Sequence, residues 1–569
     1  MTFAGSFTGR RLLSGAFLLS VILVFLLAGC TGRTQDSAAI ASAHPLATAA
    51  GMEVLEAGGN AFDAAVAVSA ALAVVEPYSS GLGGGGFWLL HRAADGFETM
   101  VDGRERAPLA ATRDMYLDAS GAVVPGLSIN GPLAAGIPGE PAALAHIAQK
   151  YGRLSLQRTL APAIRLARNG FEVDPYYHRL AGFRLAALQA DAETARLFLQ
   201  DNAVPSTGYR VVQAELATTL EALAEHGQDG FYTGRVAEQL VDGVRRAGGI
   251  WTLDDLAQYA VVERKPVSGT YQGLRVVSAA PPSSGGVVLV TMLNILAGYP
   301  LEDLDTATRT HVIIEAMRRA YRDRAEYLGD PDFGDLPVAR LTDTGYAAGL
   351  RDSIQPDRAT PSVAIPDMNS PGEGRDTTHF SILDREGNRV AATLSINYPF
   401  GACFTPPGTG VLLNDEMDDF SAKPGVPNVY GLVGAEANSI APGKRPLSSM
   451  SPTFVESRDA VAILGTPGGS RIITMVLLAT LDLAAGGLPE SWVSVPRFHH
   501  QYLPDVVQYE PGAFSAVLVE SLEARGHTLK PLDSDYGNMQ AVYLDRKTGR
   551  VSAASDPRGI GLSEVRPVN

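Results

Sequence analysis

Apolar and polar positions along the chain predict a mainly helical first part followed by a part rich in strands. Between residues 44 and 77, the apolar residues Leu55, Ala65, Val68 and Leu72 recur at helical spacing, and a Gly-Gly pair interrupts them. This spacing predicts two successive helices. The segments "PAALAHIAQKYG", "SLQRTLAPAIRLARNGF" and "THVIIEAMRRAYRDRAEYLGD" also show an apolar face and end in Gly or charged residues. They predict further helices, which we expect to be scaffold.

The pattern changes to that of strands at residue 377. "TTHFSILD" and "RVAATLSIN" flank the turn "REGN", which predicts a hairpin centred on Glu386. Thr377 and Ser395 are symmetric about that turn, so we expect them to be cross-strand partners, with Cβ atoms about 4.5 to 5.5 Å apart. His379 lies on the same strand face as Thr377. It is either a packed strand histidine or a base for the Thr377 hydroxyl.

The hairpin follows a less regular segment, roughly residues 352 to 376. This segment contains Pro356, Pro361, Pro366 and Pro371, together with two glycines, and predicts an exposed loop. The backbone of such a loop can be cut without unravelling a core.

A glycine-rich stretch, "GLGGGGFWLLHR", follows the first predicted helices. Gly81, Gly83 and Gly86 have the spacing of a dinucleotide-binding fingerprint. That fingerprint requires a strand before the glycines and a helix after them, and here the order is reversed. We therefore expect a tight turn from helix to strand, in which glycines supply positive φ.

The N-terminus has the features of an export signal. Arg10 and Arg11 precede an uncharged apolar run from Leu12 to Ala28. A retained membrane anchor is the alternative, because the run is slightly long for the hydrophobic region of a signal, although it is also slightly short for a spanning helix. The sequence "LAGC" ending at Cys30 resembles the lipobox of bacterial lipoproteins, which implies cleavage before Cys30 and lipidation of that cysteine. Cleavage after small residues without lipidation is the other possibility.

We therefore expect residues 1–29 to be an export signal and residues 30–43 a tether. The mature protein is then periplasmic and anchored by lipid to the outer membrane. The chain has 569 residues, of which 46% are hydrophobic and 19% charged, as in soluble globular proteins. Its net charge of −15 and the lack of a Lys/Arg run argue against a nucleic-acid partner.

Cysteine and histidine provide no sign of a disulfide framework or a metal. Cys403 is the only cysteine besides Cys30. His499 and His500 are adjacent, and neighbouring residues on a strand point to opposite faces. We expect no metal and no cofactor.

A threonine can be a nucleophile when a base accepts its proton, and its own α-amino group can be that base. The amine must be free, and its ordinary pKa is about 7.7 to 8.0. Cleavage between Asp376 and Thr377, at the end of the predicted loop, would create such a group.

Long motifs resemble those of the γ-glutamyltransferases, which are N-terminal-nucleophile hydrolases. They include "GGNAFDAAVAVSAALAVVEPYSSGLGGGGF", "DGRERAP", "PPSSGGVV", "TTHFSILD", "NDEMDDF", "KRPLSSMSPTF" and "GTPGGSRI", in the family's order from about residue 40 to 560. The resemblance implies an α/β fold, a four-layer αββα sandwich. It also implies self-cleavage between Asp376 and Thr377 into a large subunit (44–376) and a small catalytic subunit (377–569) that form one structural unit.

The resemblance also implies roles for residues in catalysis. Thr377 would be the nucleophile of self-cleavage and of catalysis, and its freed amine the base. Ser395 stands where the family has a threonine that hydrogen-bonds the nucleophile. Gly468 and Gly469 match the pair whose N–H groups form the oxyanion hole. Tyr430 is the covering aromatic of a lid loop from about Pro424 to Asn438.

Substrate recognition is implied at six further positions. Arg104, Ser448 and Ser449 match the residues that bind the α-carboxylate of the donor. Asn397, Glu416 and Asp419 match those that bind its α-ammonium group. Without the resemblance, the acidic cluster would be a solvated turn or a calcium-like site. Asp419 favours a γ-glutamyl donor over a glutaryl donor, which lacks the amine.

The implied reaction is γ-glutamyl transfer by a ping-pong mechanism. Thr377 attacks the γ-amide of glutathione or a related compound, and water or an amino acid or peptide acceptor resolves the γ-glutamyl-enzyme. The alternatives are an acylase for other amides on the same scaffold, and an exported binding lipoprotein without turnover.

Overall fold

The structure is a computed structural model that describes residues 4–5, 37–362 and 377–567. Three predicted features lie outside the described residues. They are the export signal (except residues 4–5), the lipidation site Cys30, and Asp376, the residue before the predicted cleavage bond. Within the described ranges, no helix is long and apolar enough to cross a membrane.

The α-helices of the described chain lie mainly in its first two thirds, and three follow in the last third. The α-helices are α1 (Pro45–Glu56), α2 (Ala61–Val75), α3 (Glu140–Tyr151), α4 (Leu156–Asn169), α5 (Pro175–Phe183), α6 (Leu185–Ala190), α7 (Ala192–Phe198), α8 (Ala214–His226), α9 (Asp229–Tyr232), α10 (Gly234–Arg246), α11 (Leu253–Ala257), α12 (Gly285–Leu296), α13 (Thr306–Tyr327), α14 (Val338–Leu341), α15 (Thr344–Asp352), α16 (Ile472–Ala484), α17 (Pro489–Ser494) and α18 (Ala516–Ala524). The helices predicted from sequence are therefore confirmed.

Strands occur along the whole described chain. They are β1 (Ser37–Ser42), β2 (Gly85–Arg92), β3 (Phe97–Gly103), β4 (Phe171–Glu172), β5 (Arg210–Val211), β6 (Val262–Arg264), β7 (Val267–Tyr271), β8 (Leu274–Ser278), β9 (Thr378–Leu383), β10 (Arg389–Ser395), β11 (Thr453–Glu456), β12 (Ala460–Gly465), β13 (Phe498–His499), β14 (Val507–Tyr509), β15 (Leu529–Pro531), β16 (Gln540–Asp545), β17 (Val551–Ser555) and β18 (Leu562–Pro567).

Two antiparallel sheets form the centre of the fold. The first has the strand order β18-β1-β9-β10-β2-β3-β6, and the second has the order β17-β16-β12-β11-β8-β7. Side chains alternate between the two faces of the first sheet, as a strand requires. Phe380 and Ile382 pack with α1 and α2, whereas Leu383 and Ala391 pack toward the second sheet.

Helices cover the outer face of each sheet. Helix α2 packs on β9 and β10, and α12 packs on β7 and β8. The side chains of α2 are buried along its whole length, because the helix lies between the sheet and other helices. Its start is fixed by a capping box between Asn60 and Asp63. The predicted four-layer αββα sandwich is therefore confirmed.

Two local features differ from the sequence predictions. The end of the expected tether, Ser37–Ser42, is a strand paired with both β9 and β18. Its small side chains fit a sheet that is covered on both faces. The glycines 81 to 86 do lie between a helix and a strand, but none of them has a positive φ. A Cβ on Gly83 or Gly84 would lie 2.0 or 2.2 Å from a backbone oxygen, so close approach is what requires glycine here.

Candidate active site

Thr377 lies at the entrance to strand β9, at one end of the space between the two sheets. The pairing of Thr378 with Leu394 has the predicted hairpin register, and continuing it by one residue sets Thr377 opposite Ser395. The two hydroxyl oxygens are 3.4 Å apart. Both residues are buried. The turn symmetry in the sequence therefore located the partner of Thr377.

His379 is a packed strand histidine. Its Nδ1 is 2.8 Å from Thr393 Oγ1 and its Nε2 is 3.2 Å from Ser381 Oγ. Burial lowers its pKa to about 3, so the ring is neutral. Both ring nitrogens have partners other than Thr377, which removes the reason to regard His379 as its base.

Thr378 faces the helical layer. Its hydroxyl donates a hydrogen bond of 2.6 Å to the carboxylate of Glu76, just beyond the end of α2. Burial raises the pKa of Glu76 to about 7. Thr378 therefore ties the start of β9 to the helix behind it, and Thr377 alone of the two threonines faces the pocket.

Twelve polar and apolar residues besides Thr377 and Ser395 line a pocket of about 290 Å³, including the part that is open to solvent. They are Arg104, Asn397, Glu416, Asp419, Tyr430, Leu432, Ser448, Ser449, Met450, Gly469, Ser470 and Ile472. Of the residues that the sequence analysis assigned to the site, the structure brings all but two to this lining. Gly468 adjoins it through Gly469, and Cys30 lies outside the described residues.

Ser395 connects the nucleophile to the next loop. Its Oγ accepts a hydrogen bond of 2.8 Å from the N–H of Asn397, and its hydroxyl also interacts with Glu416. Asn397 has a φ of 74°, a conformation that asparagine tolerates better than most residues. This turn takes the chain from the end of β10 into the pocket wall.

Arg104 follows strand β3 and is fully buried. Its Nη1 lies 2.5 Å from Glu416 and its Nη2 lies 2.5 Å from Asp419. Its Nε donates a 3.2 Å hydrogen bond to the carbonyl of Pro446. The predicted carboxylate-binding arginine is thus paired with both of the acids that were predicted to bind the ammonium group.

The acidic segment after residue 413 is buried, so it is not a solvated turn. Burial raises the pKa values of Glu416 and of the neighbouring Glu105. Asp415 accepts the N–H of Tyr398, and Asp418 accepts the hydroxyl of Ser128. Asp415 and Asp418 thus bind separate partners, and Glu416 and Asp419 share the cation Arg104, so the segment does not form a calcium-like site.

Gly468 and Gly469 lie just before helix α16. Their φ values are 139° and 54°, which favour glycine at both positions. Backbone N–H groups at a helix N-terminus can stabilise negative charge. The carbonyl of the next residue, Ser470, accepts a hydrogen bond from Tyr321 of α13.

Tyr430 covers the pocket from the loop between residues 424 and 438. A Cβ on Gly469 would lie 2.9 Å from two carbons of the Tyr430 ring, so the ring rests directly on this glycine. Its hydroxyl donates a 2.7 Å hydrogen bond to the carbonyl of Asn397. The ring therefore closes one side of the pocket.

Ser448 and Ser449 form the opposite wall. The backbone of Ser448 is fixed by hydrogen bonds with Pro282 and Ser284. Ser449 Oγ accepts a 3.2 Å hydrogen bond from Nη2 of Arg324.

The sequence analysis missed Tyr321 and Arg324 because α13 was expected to be scaffold. They are three residues apart and both are buried. A charged residue in the apolar stripe of an amphipathic helix was the available signal.

Three side chains of the described residues come close enough to hold a metal ion: His311, Glu315 and His527. The two imidazoles share a hydrogen bond of 2.7 Å between His311 Nδ1 and His527 Nε2. Glu315 is paired with Arg318 and Arg319. The carboxylate is therefore already neutralised by two cations, and the cluster does not fit a metal site.

The fold and the site define an N-terminal-nucleophile hydrolase: a threonine at the start of a central strand of an αββα sandwich, facing a polar pocket. The gamma-glutamyltranspeptidase family model matches residues 47–565. The chain belongs to this family, which confirms the resemblance found in its motifs.

Individual proteins agree with this assignment. The chain is 47% identical over 500 residues to the glutathione hydrolase proenzyme of Pseudomonas sp. strain A14, covering 86% of each chain. It is 44% identical over 527 residues to the glutathione hydrolase proenzyme of Escherichia coli K12, covering 92% of this chain and 90% of that one. Cephalosporin acylase from Bacillus halodurans has a similar structure, with a TM-score of 0.82 and 28% identity over 93% of this chain and 96% of that one.

Proposed function

We propose that the protein is a γ-glutamyltransferase and glutathione hydrolase that matures by self-cleavage before Thr377. The observation that carries this proposal is the convergence on one pocket of a threonine hydroxyl, Gly469 of the glycine pair and a charged cluster built from Arg104, Glu416 and Asp419. The membership of the family and the names of its relatives support it.

Maturation supplies the base. Cleavage between Asp376 and Thr377 would free the α-amino group of Thr377, which can accept the proton of the hydroxyl on the same residue. The two relatives from Pseudomonas and Escherichia coli are named proenzymes, which agrees with such a step. The large and small subunits would remain together in one sandwich.

The chemistry then proceeds in two halves. Thr377 Oγ1 attacks the γ-amide carbonyl carbon of the donor, and the N–H groups of Gly468 and Gly469 stabilise the tetrahedral oxyanion. The threonine amine passes the proton to the leaving amine, which departs as the C–N bond breaks. Water or the amine of an amino acid or peptide then attacks the γ-glutamyl ester and regenerates the Thr377 hydroxyl.

Recognition of the donor uses both signs of charge. Arg104, Ser448 and Ser449 supply hydrogen-bond donors for the α-carboxylate. Asp419, Glu416 and Asn397 supply acceptors for the α-ammonium group. Tyr430 keeps bulk water from the ester, which favours transfer to a bound acceptor.

An acylase is the second candidate, because an acylase has the same sandwich. The position of Asp419, 2.5 Å from Arg104, favours the γ-glutamyl donor. In a γ-glutamyl donor, the α-carboxylate can pair with Arg104 and the α-ammonium group with Asp419, so the donor replaces the ion pair between these two residues. A glutaryl group could bind only Arg104 and would leave Asp419 unpaired.

The first test compares γ-glutamyl-p-nitroanilide with glutaryl-p-nitroanilide, using a preparation whose cleavage before Thr377 is verified by mass. We expect strong preference for the γ-glutamyl compound. Thr377→Ala should remain one uncut, inactive chain, whereas Thr378→Ala should still be cut. Equal rates for the two anilides would establish an acylase, and a cut, active Thr377→Ala protein would exclude this nucleophile.

We also propose that the protein is exported and held at the outer membrane, facing the periplasm, by lipid on Cys30. The two arginines, the uncharged apolar run and the lipobox-like sequence before Cys30 support this location. Cys30→Ser should abolish incorporation of labelled fatty acid and release active enzyme from the membrane fraction. Unchanged labelling would place the lipid elsewhere.

A further inference from the structure

Arg324 is a buried cation that forms no direct ion pair with the described residues, although the charge of Asp419 acts on it through space. Its exposed fraction is 4%, and among the described residues it forms no salt bridge. Its Nε donates to Ser284 Oγ at 3.0 Å and its Nη2 donates to Ser449 Oγ at 3.2 Å. Burying a guanidinium with only hydroxyl partners is costly, so a structural role alone does not account for it.

The hydrogen bond from Arg324 fixes the direction of the Ser449 hydroxyl. A guanidinium can only donate, so Ser449 Oγ must be the acceptor in this contact. The hydroxyl proton of Ser449, which lines the pocket, is then available to an acceptor in the pocket. A chain of donors running from a cation through a hydroxyl also strengthens the last donor.

Arg324 also acts on Ser448, the neighbour of Ser449, through Ser284. Ser284 Oγ, which accepts from Arg324, donates a 2.7 Å hydrogen bond to the carbonyl of Ser448. One guanidinium therefore holds the hydroxyl of Ser449 directly and the backbone of Ser448 through Ser284.

The distribution of charge in the pocket also supports a role for Arg324 in binding the donor carboxylate. Arg104 is the cation that lines the pocket, and it is shared between Glu416 and Asp419. Its third nitrogen already donates to Pro446. A carboxylate that enters beside these acids needs a further source of positive potential, and Arg324 lies directly behind Ser449.

We propose that Arg324 is a positioning and specificity-determining residue for the donor carboxylate, acting through Ser449 and adding the positive charge that Arg104 shares with two acids. This role rests on the proposed function. Through Arg324, helix α13 would favour donors that carry a carboxylate at the end of the acyl chain.

Three anilides separate this role from a structural one. γ-Glutamyl-p-nitroanilide has the carboxylate and the amine, glutaryl-p-nitroanilide has the carboxylate only, and 4-aminobutyryl-p-nitroanilide has the amine only. For Arg324→Gln we expect KM to rise about tenfold or more for the first two, the size of one lost hydrogen bond to a charged group. The 4-aminobutyryl compound should keep its wild-type kcat/KM within about twofold, and kcat for the others should change less than KM.

Arg322→Gln is the matched control, because Arg322 lies on the same helix and its side chain is 38% exposed, paired with the adjacent Asp323. It should leave all three substrates unchanged. Arg324→Lys should lose less than Arg324→Gln, because it keeps the charge but cannot reach both serines.

Equal losses for all three anilides in a cut, folded Arg324→Gln protein would overturn the inference. If that variant does not mature, Arg324→Lys decides by the same comparison: a rise in KM confined to the carboxylate-bearing donors supports the role, and uniform loss refutes it. A wild-type protein that turned over none of the anilides would instead refute the proposed function itself.

Discussion

Substitution of Gly469 by alanine tests how closely the lid and the oxyanion loop depend on each other. The residue has a φ of 54° and its missing Cβ would lie 2.9 Å from two carbons of Tyr430. Carbon atoms in contact prefer about 3.5 to 4.0 Å, so the ring would have to move by about 0.6 Å or more. Because the Tyr430 hydroxyl is bonded to Asn397, the ring cannot retreat freely.

Two costs add up in this variant. Alanine in the left-handed region costs about 1 to 2 kcal/mol of stability. Displacement of the Gly469 N–H from the oxyanion adds a loss in rate, and removing one such donor typically lowers kcat by about 10²- to 10³-fold. Since the N–H is shifted rather than deleted, we expect a fall in kcat of about 10²-fold, near the lower end of that range.

The assay measures kcat and KM with γ-glutamyl-p-nitroanilide, per mole of cut protein, with thermal unfolding in parallel. Gly227→Ala is the control, because Gly227 has a φ of 62° and no atom within 4 Å of its added Cβ. It should lose similar stability and keep its rate. If Gly469→Ala kept kcat within about threefold of wild type, the packing of Tyr430 on this glycine and its part in the oxyanion hole would both be refuted.

Three further results are expected. Ser395→Ala should lower kcat by about 3- to 10-fold, the value of one hydrogen bond, whereas Ser395→Thr, which keeps the hydroxyl, should retain the wild-type kcat. Equal rates for the two variants would show that the hydroxyl does not position the nucleophile. Asp419→Asn should weaken γ-glutamyl donors more than glutaryl donors, and equal losses would remove its role in binding the amine. Folded Glu76, with its pKa raised from 4.5 to about 7, holds a proton that the unfolded chain releases, so the free energy of unfolding should fall as pH rises through this window. Urea unfolding of Glu76→Gln across the same range should show a shallower slope, and parallel slopes would contradict the assignment.

Sequence patterns sufficed for the parts of the site that lie on one hairpin. The register that pairs Thr377 with Ser395 follows from a turn whose length fixes the strands, so local rules were enough. The buried acidic segment and the glycine pair were located through family motifs, because their contacts are not local: Arg104, the partner of Asp419, lies 315 residues earlier in the chain.

Other features depend on tertiary packing that no local pattern encodes. Helical periodicity identified α13 but not the surface that its buried face contacts, so Tyr321 and Arg324 were missed. Ser37–Ser42 has small residues without strong alternation, and its strand forms only because β9 and β18 flank it. A glycine in sequence indicates either positive φ or close approach, and the backbone of Gly83 and Gly84 shows that close approach applies here.

The strand order has a consequence for the stability of the cut protein. In the first sheet, β9 and β10 lie between β1 and β2, so strands from either side of residue 376 alternate across it. In a chain cut before Thr377, neither product has a complete sheet, and separating them would break whole ladders of backbone hydrogen bonds. Cleavage therefore leaves the folded state intact but changes refolding from a first-order to a second-order reaction. Recovery from denaturation should then depend on protein concentration in the mature enzyme and be independent of it in the precursor.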